Sequence, residues 1–345
     1  MERRADSERS AAIDRIVGRV IGPATPGLAL AIISEGEIVH LAGYGLAHLD
    51  TRTSVTPTTQ FHMASCGKQF TGLGIMLLQE EKKLRLDDPI GRHIPELAGF
   101  AGKVTIRRLL HHLSGVHDFY DDADGERKLL ALSPRPTNED LIRLYAMLGW
   151  PTTRRLGNFS YNNSGYDLLG CVIERVSAQS YRDFFRMRVF VPLGMTDTFS
   201  LPAAATRLAK ARVAVGYEKR RGRFWAQSGS DLDGICGSGS FYSTVTDLCR
   251  YEAALAGGGL LSAAGMRTAL TSGVRRSATP TRYGFGWYLA ADFVEHSGEW
   301  TGFVSHMRRY RDRRLSLYVL SNNADIEPSG IAAAAARVWH RADPA

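Results

Sequence analysis

The chain has 345 residues, of which 44% are hydrophobic and 23% are charged, and this composition is that of a globular protein with one large core or two modest ones. The formal net charge of +8 comes from lysines and arginines that are scattered along the sequence, with one short dense run at residues 307–314. No nucleic-acid recognition motif accompanies this charge, so we expect no nucleic-acid partner and no membrane partner.

Residues 1–20 alternate charged and small side chains and contain no apolar stretch long enough for a signal peptide or a membrane-spanning helix. The four cysteines, Cys66, Cys171, Cys236 and Cys249, lack the paired spacing of zinc ligands. Without an export signal they are expected to be reduced thiols rather than a disulfide framework. The sequence therefore predicts a cytoplasmic location.

The first half of the chain is predicted to start with strands and continue with helices. Residues 26–49 contain two apolar runs joined by a polar turn at Gly36, which predicts a β-hairpin. Apolar residues recur at helical spacing from Ser65 to about Leu84 and predict a helix that begins at or near Ser65. Further helices are predicted at residues 105–112, 138–148, 164–177 and 181–189.

The last part of the chain returns to strand patterns. Strands are predicted at residues 285–290, 293–296, 303–310 and 315–321, with the last two joined by residues 311–313, and a helix is predicted at 330–340. Strands near both ends with helices between them indicate one sheet assembled from both parts of the chain, with an all-helical region inserted into it.

Ser65-Cys66-Gly67-Lys68 is a Ser-x-x-Lys sequence at the predicted start of a helix. Side chains three residues apart lie on one face of a helix, so the Lys68 amine can approach the Ser65 hydroxyl. A lysine accepts the serine proton only if burial or nearby positive charge lowers its pKa, and a helix N-terminus favours a developing oxyanion. Taken alone, the pattern more often marks a helix N-cap serine followed by a surface lysine.

Tyr161-Asn162-Asn163 is a Tyr-x-Asn sequence in a turn before the helix that is predicted to begin near Ser164. A phenol beside a lysine serves as a base or an acid if its pKa is lowered, and the second amide can orient the lysine and hold a substrate carbonyl. By itself the motif more often marks an Asn-rich turn with a buried tyrosine.

His296-Ser297-Gly298 lies at the end of a predicted strand and is followed by Glu299. Glycine would let a substrate lie close to the strand backbone. In isolation the motif more often marks a tight turn with an exposed histidine. The order of the three motifs, with the nucleophile early, Tyr-x-Asn later and His-x-Gly near the end, indicates that they form one site.

With these motifs the chain resembles the serine β-lactamase and penicillin-binding-protein superfamily. Within it, Tyr-x-Asn as the second motif resembles the class C β-lactamase family, which also contains D-alanyl-D-alanine carboxypeptidases, D-aminopeptidases and family VIII carboxylesterases. The resemblance covers nearly the whole chain and includes residues 26–28, 54–57, 86–89, 106–115, 161–166, 237–239, 243–248 and 320–322.

The resemblance implies an α+β fold of the β-lactamase/transpeptidase type, with a five-stranded antiparallel sheet flanked by helices and an inserted helical domain. This agrees with the arrangement predicted from the strand and helix patterns. We place the sheet domain at residues 1–60 and 215–345. The mainly helical domain, with Ser65, Lys68 and Tyr161, is placed at residues 61–214.

Catalytic roles follow from the same resemblance. It implies that Ser65 attacks the substrate carbonyl, that Lys68 and Tyr161 share the proton transfers, and that Asn163 binds both the substrate and Lys68. An acyl-enzyme intermediate then reacts with water or another nucleophile.

The third motif is implied to form the other wall of the site. His296 and Gly298 would line the strand on which the substrate lies. The backbone N–H groups of Ser65 and Glu299 would form the oxyanion hole.

Two departures from the family pattern limit the substrate prediction. In β-lactamases of this group the third motif usually begins with lysine, whose fixed charge helps to hold a substrate carboxylate, whereas His296 is charged only in part near neutral pH. Asn162 stands where serine is usual. We therefore predict a serine hydrolase for small ester, amide or D-peptide substrates. One alternative is a β-lactamase or DD-carboxypeptidase with β-lactams as covalent ligands, and another is a non-catalytic binding or assembly module.

Other site types are less well supported by the sequence. The segment at residues 111–124 is rich in histidine and aspartate, but its two adjacent histidines point to different helical faces. Cys66 lies beside the nucleophile, yet one position along a helix turns it away from the site, so we predict a packing residue. The sequence contains neither a Gly-x-Ser-x-Gly elbow nor a Gly-x-Gly-x-x-Gly loop. We predict no metal and no cofactor.

Overall fold

The computed structural model describes residues 2–101, 104–149, 157–200, 212–227, 229–271, 274–275, 282–311 and 314–340. Its α-helices are α1 (Glu2–Val17), α2 (Lys68–Glu80), α3 (Ala98–Ala101), α4 (Ile106–Leu110), α5 (Ala123–Leu132), α6 (Asn138–Leu148), α7 (Asn163–Ser177), α8 (Tyr181–Phe185), α9 (Val245–Gly257), α10 (Ala263–Thr271) and α11 (Pro328–His340). Short 3₁₀ turns occupy Ala64–Gly67, Ile90–Arg92, Pro95–Leu97, Phe119–Asp121 and Asp231–Gly234, and a π-helical turn occupies Arg186–Phe190.

The strands fall into one large sheet and three small ones. They are β1 (Leu28–Ser34), β2 (Glu37–Tyr44), β3 (Leu46–His48), β4 (Thr53–Ser54), β5 (Phe61–His62), β6 (Phe199–Ser200), β7 (Gly216–Arg220), β8 (Arg223–Gln227), β9 (Phe241–Ser243), β10 (Val274–Arg275), β11 (Arg282–Tyr283), β12 (Tyr288–Leu289), β13 (Phe293–Trp300), β14 (Phe303–Tyr310) and β15 (Leu315–Ser321). The small sheets have the orders β3-β4, β5-β9-β6 and β7-β8.

The large sheet is antiparallel and has eight strands in the order β10-β11-β12-β13-β14-β15-β1-β2. Strand β1 pairs with β15 along its whole length, so distant parts of the chain share one sheet, as predicted. Its body consists of the five long strands β1, β2, β13, β14 and β15. The expected count of five is too low, because three two-residue strands, β10 to β12, extend one edge.

The strand predicted at residues 285–290 shrinks to β12 because the chain turns just before it. Gly286 has a positive φ of 81°, and Gly284 N donates to Trp287 O at 2.8 Å. Within β13, only Val294 and Glu295 pair with strand β12. In the described part of the chain, no strand covers this edge of β13 beyond Glu295. The third motif therefore lies inside β13, next to an open edge, and not at the end of a strand.

The two faces of the large sheet pack against different helices. On one face, α1 and α11 cover alternate residues of β1 and β15, and Ile13, Leu30, Val319 and Trp339 belong to this core. The other face packs against the larger core formed with the mainly helical part of the chain. Assignment of residues 1–60 with 215–345 and of 61–214 to two separate domains stays a prediction.

The helix that follows Ser65 begins three residues later than the serine. Ser65 lies in the 3₁₀ turn Ala64–Gly67, and α2 begins at Lys68. Ala64 has a positive φ of 47°, which is strained for a residue with a side chain. A Cβ at Gly239 would lie 2.7 Å from the Ala64 carbonyl carbon, so the backbone at Gly239 closely approaches the 3₁₀ turn that contains Ser65.

Other predicted elements match or nearly match the structure. The predicted helix at 138–148 coincides with α6, and the predicted strands at 303–310 and 315–321 coincide with β14 and β15. The predicted helix at 181–189 is α-helical only as far as Phe185 and then becomes π-helical. Among the described helices, none is both long and apolar enough to cross a membrane. The predicted location in the cell stays a prediction.

Candidate active site

Ser65 and Lys68 come together at the junction between the 3₁₀ turn and α2. Lys68 Nζ lies 3.0 Å from Ser65 Oγ, 2.7 Å from Asn163 Oδ1 and 2.8 Å from Ser238 O. The two carbonyl oxygens can only accept hydrogen bonds, so they engage two N–H bonds of the amine. The Ser65 hydroxyl can donate as well as accept. A neutral Lys68 amine in this position has its lone pair directed at the serine proton.

The surroundings of Lys68 favour that neutral form. Its side chain is fully buried, at 0% exposure, and burial lowers the pKa of Lys68 to about 7. The carboxylates of Asp167 and Asp118 oppose this shift but do not cancel it. An appreciable fraction of the amine is therefore unprotonated near neutral pH, which is the state that a general base requires.

Tyr161 lies against the same amine through the face of its ring. Lys68 Nζ is 4.9 Å from the centre of the Tyr161 ring. Burial raises the pKa of the Tyr161 phenol well above its usual value, and the neighbouring Ser65 side chain only partly opposes this. The phenol thus keeps its proton near neutral pH. Of the two groups, Lys68 has the pKa suited to accepting a proton at neutral pH.

Asn162 and Asn163 have separate tasks at the start of α7. Asn162 is the N-cap, since its Oδ1 accepts from Gly165 N at 2.6 Å, and its Nδ2 donates to Val116 O at 2.7 Å. Asn163 is the first residue of the helix and faces Lys68. Asn162 therefore caps the helix, as a serine at this position also could. The side chains of Tyr161 and Asn163 on either side of it face Lys68.

Removal of this cap is expected to lower the stability of the fold more than the catalytic activity. The Asn162→Ala variant loses both side-chain hydrogen bonds and is expected to lower the free energy of unfolding by about 1 to 2 kcal/mol, measured by urea unfolding. The Asn162→Ser variant is the matched control, because serine keeps an N-cap acceptor and loses only the donor to Val116 O, and it should therefore lose less stability than Asn162→Ala. Equal losses in the two variants would contradict the capping role.

Asp118 fixes Asn163 from the other side. Its Oδ2 accepts from Asn163 N at 2.7 Å, and its Oδ1 accepts from the Ser164 hydroxyl at 2.7 Å. This carboxylate belongs to the histidine- and aspartate-rich segment. Sequence patterns alone indicate only a candidate metal site in this segment, and a contact of Asp118 with the helix is not predicted from them. Asp118 is thus a residue of the site that sequence reasoning did not assign.

Gly237-Ser238-Gly239 forms a further wall that was not assigned a role. The Ser238 carbonyl accepts from Lys68, and its amide donates to Asp167 Oδ1 at 2.7 Å. Gly237 has a positive φ of 147°, and its carbonyl accepts from the Thr71 hydroxyl at 2.5 Å. The segment is among those in which the chain resembles the family. Residue type does not reveal a contact that a backbone carbonyl makes.

Gly298 brings strand β13 against the nucleophile. A Cβ at this position would lie 2.8 Å from Ser65 N and 2.5 Å from Met63 O, so only glycine permits the approach. The next residue, Glu299, is exposed. Ser65, Asn163 and Glu299 line the same cavity of about 70 Å³, together with Tyr120 and Trp300.

A larger cavity of about 1070 Å³ lies between α9, α10 and the large sheet. It contains none of the predicted site residues. Size alone does not identify the candidate site, because Ser65 lines the smaller cavity and Lys68 contacts Ser65 from a buried position.

Comparison with known proteins follows this geometry. A match to the Beta-lactamase family covers residues 13–338. The chain belongs to the β-lactamase family. Penicillin-binding protein 4* of Bacillus subtilis (strain 168) is 30% identical over 308 residues, which are 84% of this chain and 66% of that protein. The matched region thus spans slightly less than two thirds of that relative's length.

Two solved structures are similar to this chain over nearly its whole length. An octameric penicillin-binding protein homologue from Pyrococcus abyssi is 27% identical, with a TM-score of 0.83, and covers 97% of this chain and 77% of its own. A D-amino acid amidase from Ochrobactrum anthropi SV3, complexed with L-phenylalanine amide, is 25% identical, with a TM-score of 0.80, and 97% of each chain is covered.

His296 is the first residue of the third motif. Its Nδ1 lies 2.6 Å from Ser297 O, which can only accept, so Nδ1 carries the proton. In the neutral ring, Nε2 then accepts from the Tyr283 hydroxyl at 3.1 Å. The side chain is 1% exposed, and burial lowers its pKa to about 3, so the ring is neutral at physiological pH. Both nitrogens are engaged, and a substrate would have to replace Tyr283 to reach this ring.

The neighbouring thiol and histidines are accounted for by packing. Cys66 is buried, its Sγ donates to His296 O at 3.1 Å, and burial raises its pKa to about 12. His111 and His112 diverge, as expected: Nδ1 of His111 donates to Tyr283 O at 2.9 Å, and Nδ1 of His112 accepts from Asn162 N at 3.0 Å. These groups support the site without presenting a reactive atom to it.

Proposed function

We propose that this protein is a serine hydrolase that cleaves small ester or amide substrates through an acyl-enzyme. The observation that carries the proposal is the buried Lys68 amine, which has two carbonyl partners and the Ser65 hydroxyl within 3.0 Å. Such an arrangement activates a serine without a histidine. Membership of the β-lactamase family supports the same reaction class.

The proposed reaction begins with transfer of the Ser65 proton to Lys68 as Oγ bonds to the substrate carbonyl carbon. The carbonyl oxygen becomes an oxyanion, for which we assign the N–H groups of Ser65 and Glu299 as donors. Collapse of this intermediate breaks the bond to the alcohol or amine. The leaving group takes a proton from Lys68 through the Tyr161 hydroxyl. Water then attacks the acyl-enzyme by the same route and releases the acid.

The neutral His296 supports esters and amides over β-lactams as substrates. A substrate carboxylate is best held by a fixed positive charge, and the buried, neutral ring offers none. Similarity to a D-amino acid amidase supports amides of D-amino acids as the second candidate class. Activity of the class C type, as a β-lactamase or a DD-carboxypeptidase, remains the alternative, and the intact Ser65–Lys68 contact opposes a purely non-catalytic module.

A substrate panel tests this order. We expect the protein to hydrolyse p-nitrophenyl esters with a kcat/KM that exceeds its value for nitrocefin by about tenfold or more, with D-alanyl p-nitroanilide between them, because the neutral His296 offers no positive charge to the β-lactam carboxylate. Release of nitrophenol or nitroaniline and opening of nitrocefin are followed by absorbance. Rapid nitrocefin turnover without ester hydrolysis would reverse the order. Absence of all turnover and of labelling by a fluorophosphonate would reject the hydrolase.

A further inference from the structure

A buried carboxylate lies behind the amine of the site. Asp167 is on α7, one helical turn after Asn163, and its side chain is 0% exposed. Its Oδ1 accepts from Ser238 N at 2.7 Å, and Ser238 O in turn accepts from Lys68 Nζ at 2.8 Å. One residue therefore connects the carboxylate to the amine through its two backbone polar groups.

The second oxygen of this carboxylate accepts no hydrogen bond within the described part of the chain, although the Tyr120 side chain lies near the carboxylate. Asp167 Oδ2 is buried and has no hydrogen-bond partner among the described residues. An unpaired oxygen of a buried carboxylate destabilises a folded protein, so the fold would be served better by an apolar or amide side chain of similar size. The charge of Asp167 is therefore better explained by an effect on its neighbours than by packing.

We propose that Asp167 is a positioning residue of the hydrolase, which holds the Ser238 carbonyl against Lys68 and supplies the negative charge that controls when the Lys68 amine loses its proton. This inference rests on the proposed function of Ser65 and Lys68. Asp167 touches no substrate in this scheme and acts only through the lysine.

Among the titratable groups around the pair, Asp167 and Asp118 both raise the pKa of Lys68, and Asp167 has the larger effect. The groups that face it or Lys68 lie on several elements: Cys66 of the 3₁₀ turn, His112 after α4, Asp118 and Tyr120 beside α7, Tyr145 of α6, Tyr161 before α7, Tyr166 and Cys171 on α7, Tyr181 of α8, Cys236, and His296 of β13. Burial keeps the histidines, tyrosines and thiols neutral. Asp118 is committed to Asn163 and Ser164. Burial also raises the pKa of Asp167 to about 6, while Lys68 opposes this, so the two groups titrate as a pair.

The Asp167→Asn variant isolates the charge. The amide oxygen can still accept from Ser238 N, but the negative charge that favours the ammonium form of Lys68 is gone. Lys68 then stays neutral to lower pH, so the acidic limb of the kcat/KM profile for a p-nitrophenyl ester should move down by roughly one pH unit. Because a buried charge is removed, the melting temperature should be unchanged or higher.

Two further variants separate charge from position. Asp167→Ala also removes the acceptor for Ser238 N, so kcat/KM should fall about tenfold or more at every pH as Lys68 loses its alignment. Glu174→Gln is the matched control, because this carboxylate lies on the same helix but accepts from Asn138 Nδ2 and Tyr181 N, each at 2.8 Å. Its pH profile should superimpose on that of the parent.

A measurement without substrate completes the test. The Lys68 signal in the NMR spectrum of protein labelled with [ε-¹³C]lysine is identified by its loss in Lys68→Met, and its titration midpoint should be lower in Asp167→Asn than in the parent. Equal midpoints overturn the proposal. Failure of Asp167→Asn to fold also overturns it, since the carboxylate would then serve the fold. If Ser65→Ala hydrolyses esters as fast as the parent, the proposed function fails, while the NMR midpoint still decides whether Asp167 controls Lys68.

Discussion

Replacement of Ser65 by alanine is expected to lower kcat/KM for p-nitrophenyl esters by at least about 10³-fold and to abolish covalent labelling by a fluorophosphonate. The hydroxyl is the nucleophile within reach of the buried Lys68 amine, at 3.0 Å, and alanine leaves the amine with no proton to take. Intact-protein mass spectrometry measures the adduct, and absorbance measures the residual turnover. The variant should fold normally, because only one partly exposed hydroxyl is removed.

The Ser297→Ala variant is the control for this experiment. Like Ser65, Ser297 contacts a basic nitrogen, since its Oγ lies 2.8 Å from His306 Nδ1. Side chains alternate along a strand, and Gly298 faces Ser65, so Ser297 points to the opposite face of the sheet. We expect full labelling and full turnover in this variant. Labelling of Ser65→Ala to the same extent as the parent would show that the nucleophile lies elsewhere.

Replacement of Lys68 by methionine is expected to reduce kcat/KM by about 10²- to 10⁴-fold. Methionine fills most of the volume of the lysine stem but has no amine, so Ser65 loses its base while the packing is largely kept. Because methionine leaves the Asn163 and Ser238 oxygens without their donor, the free energy of unfolding should fall by about 1 to 3 kcal/mol. Equilibrium unfolding in urea and ester hydrolysis together measure the two effects.

The pH profile gives a second signature of the same residue. Burial lowers the pKa of Lys68 to about 7, and the base must be the neutral amine, so kcat/KM should rise with pH through that region and level off above it. This limb should be absent in Lys68→Met. Lys83→Met is the control, because Lys83 lies beyond the end of α2, half-exposed and paired with Glu81 at 3.0 Å. A Lys68→Met variant that keeps both its rate and its acidic limb would assign the base to another group.

Elements with a clear apolar pattern could be predicted closely from the sequence. Helix α6 and strands β14 and β15 have their predicted bounds, because α6 has a regular apolar face and the strands are buried along all or most of their length. Helix α1 was missed, since its charged residues outnumber the few apolar ones, such as Ile13 and Val17, that it buries. The short strand β12 and the π-helical turn are set by local turns and tertiary packing, which no periodicity reveals.

The residues of the candidate site also differ in how well the sequence predicts them. Ser65, Lys68, Tyr161 and Asn163 carry side-chain chemistry in recognisable spacing, and the structure brings these four together. Ser238 acts through its backbone, so residue type cannot reveal it. Asp167 did leave a trace in the sequence, because it lies four residues after Asn163 and shares its helical face in an otherwise apolar stretch. An acidic residue at a position predicted to be buried is a reason to look for a charged partner.

The burial of the cysteines is useful for experiments on the cavity that Ser65 lines. All four thiols are buried and free, and burial raises their pKa, to about 12 for Cys66 and about 11 for Cys236. Thiolate is the reactive form, so the native chain has little background reactivity toward maleimides. A single cysteine introduced on the rim of the cavity, at exposed Glu299 for example, would therefore carry a fluorophore or spin label at a unique position. Occupancy of the cavity could then be followed without mutating any native thiol.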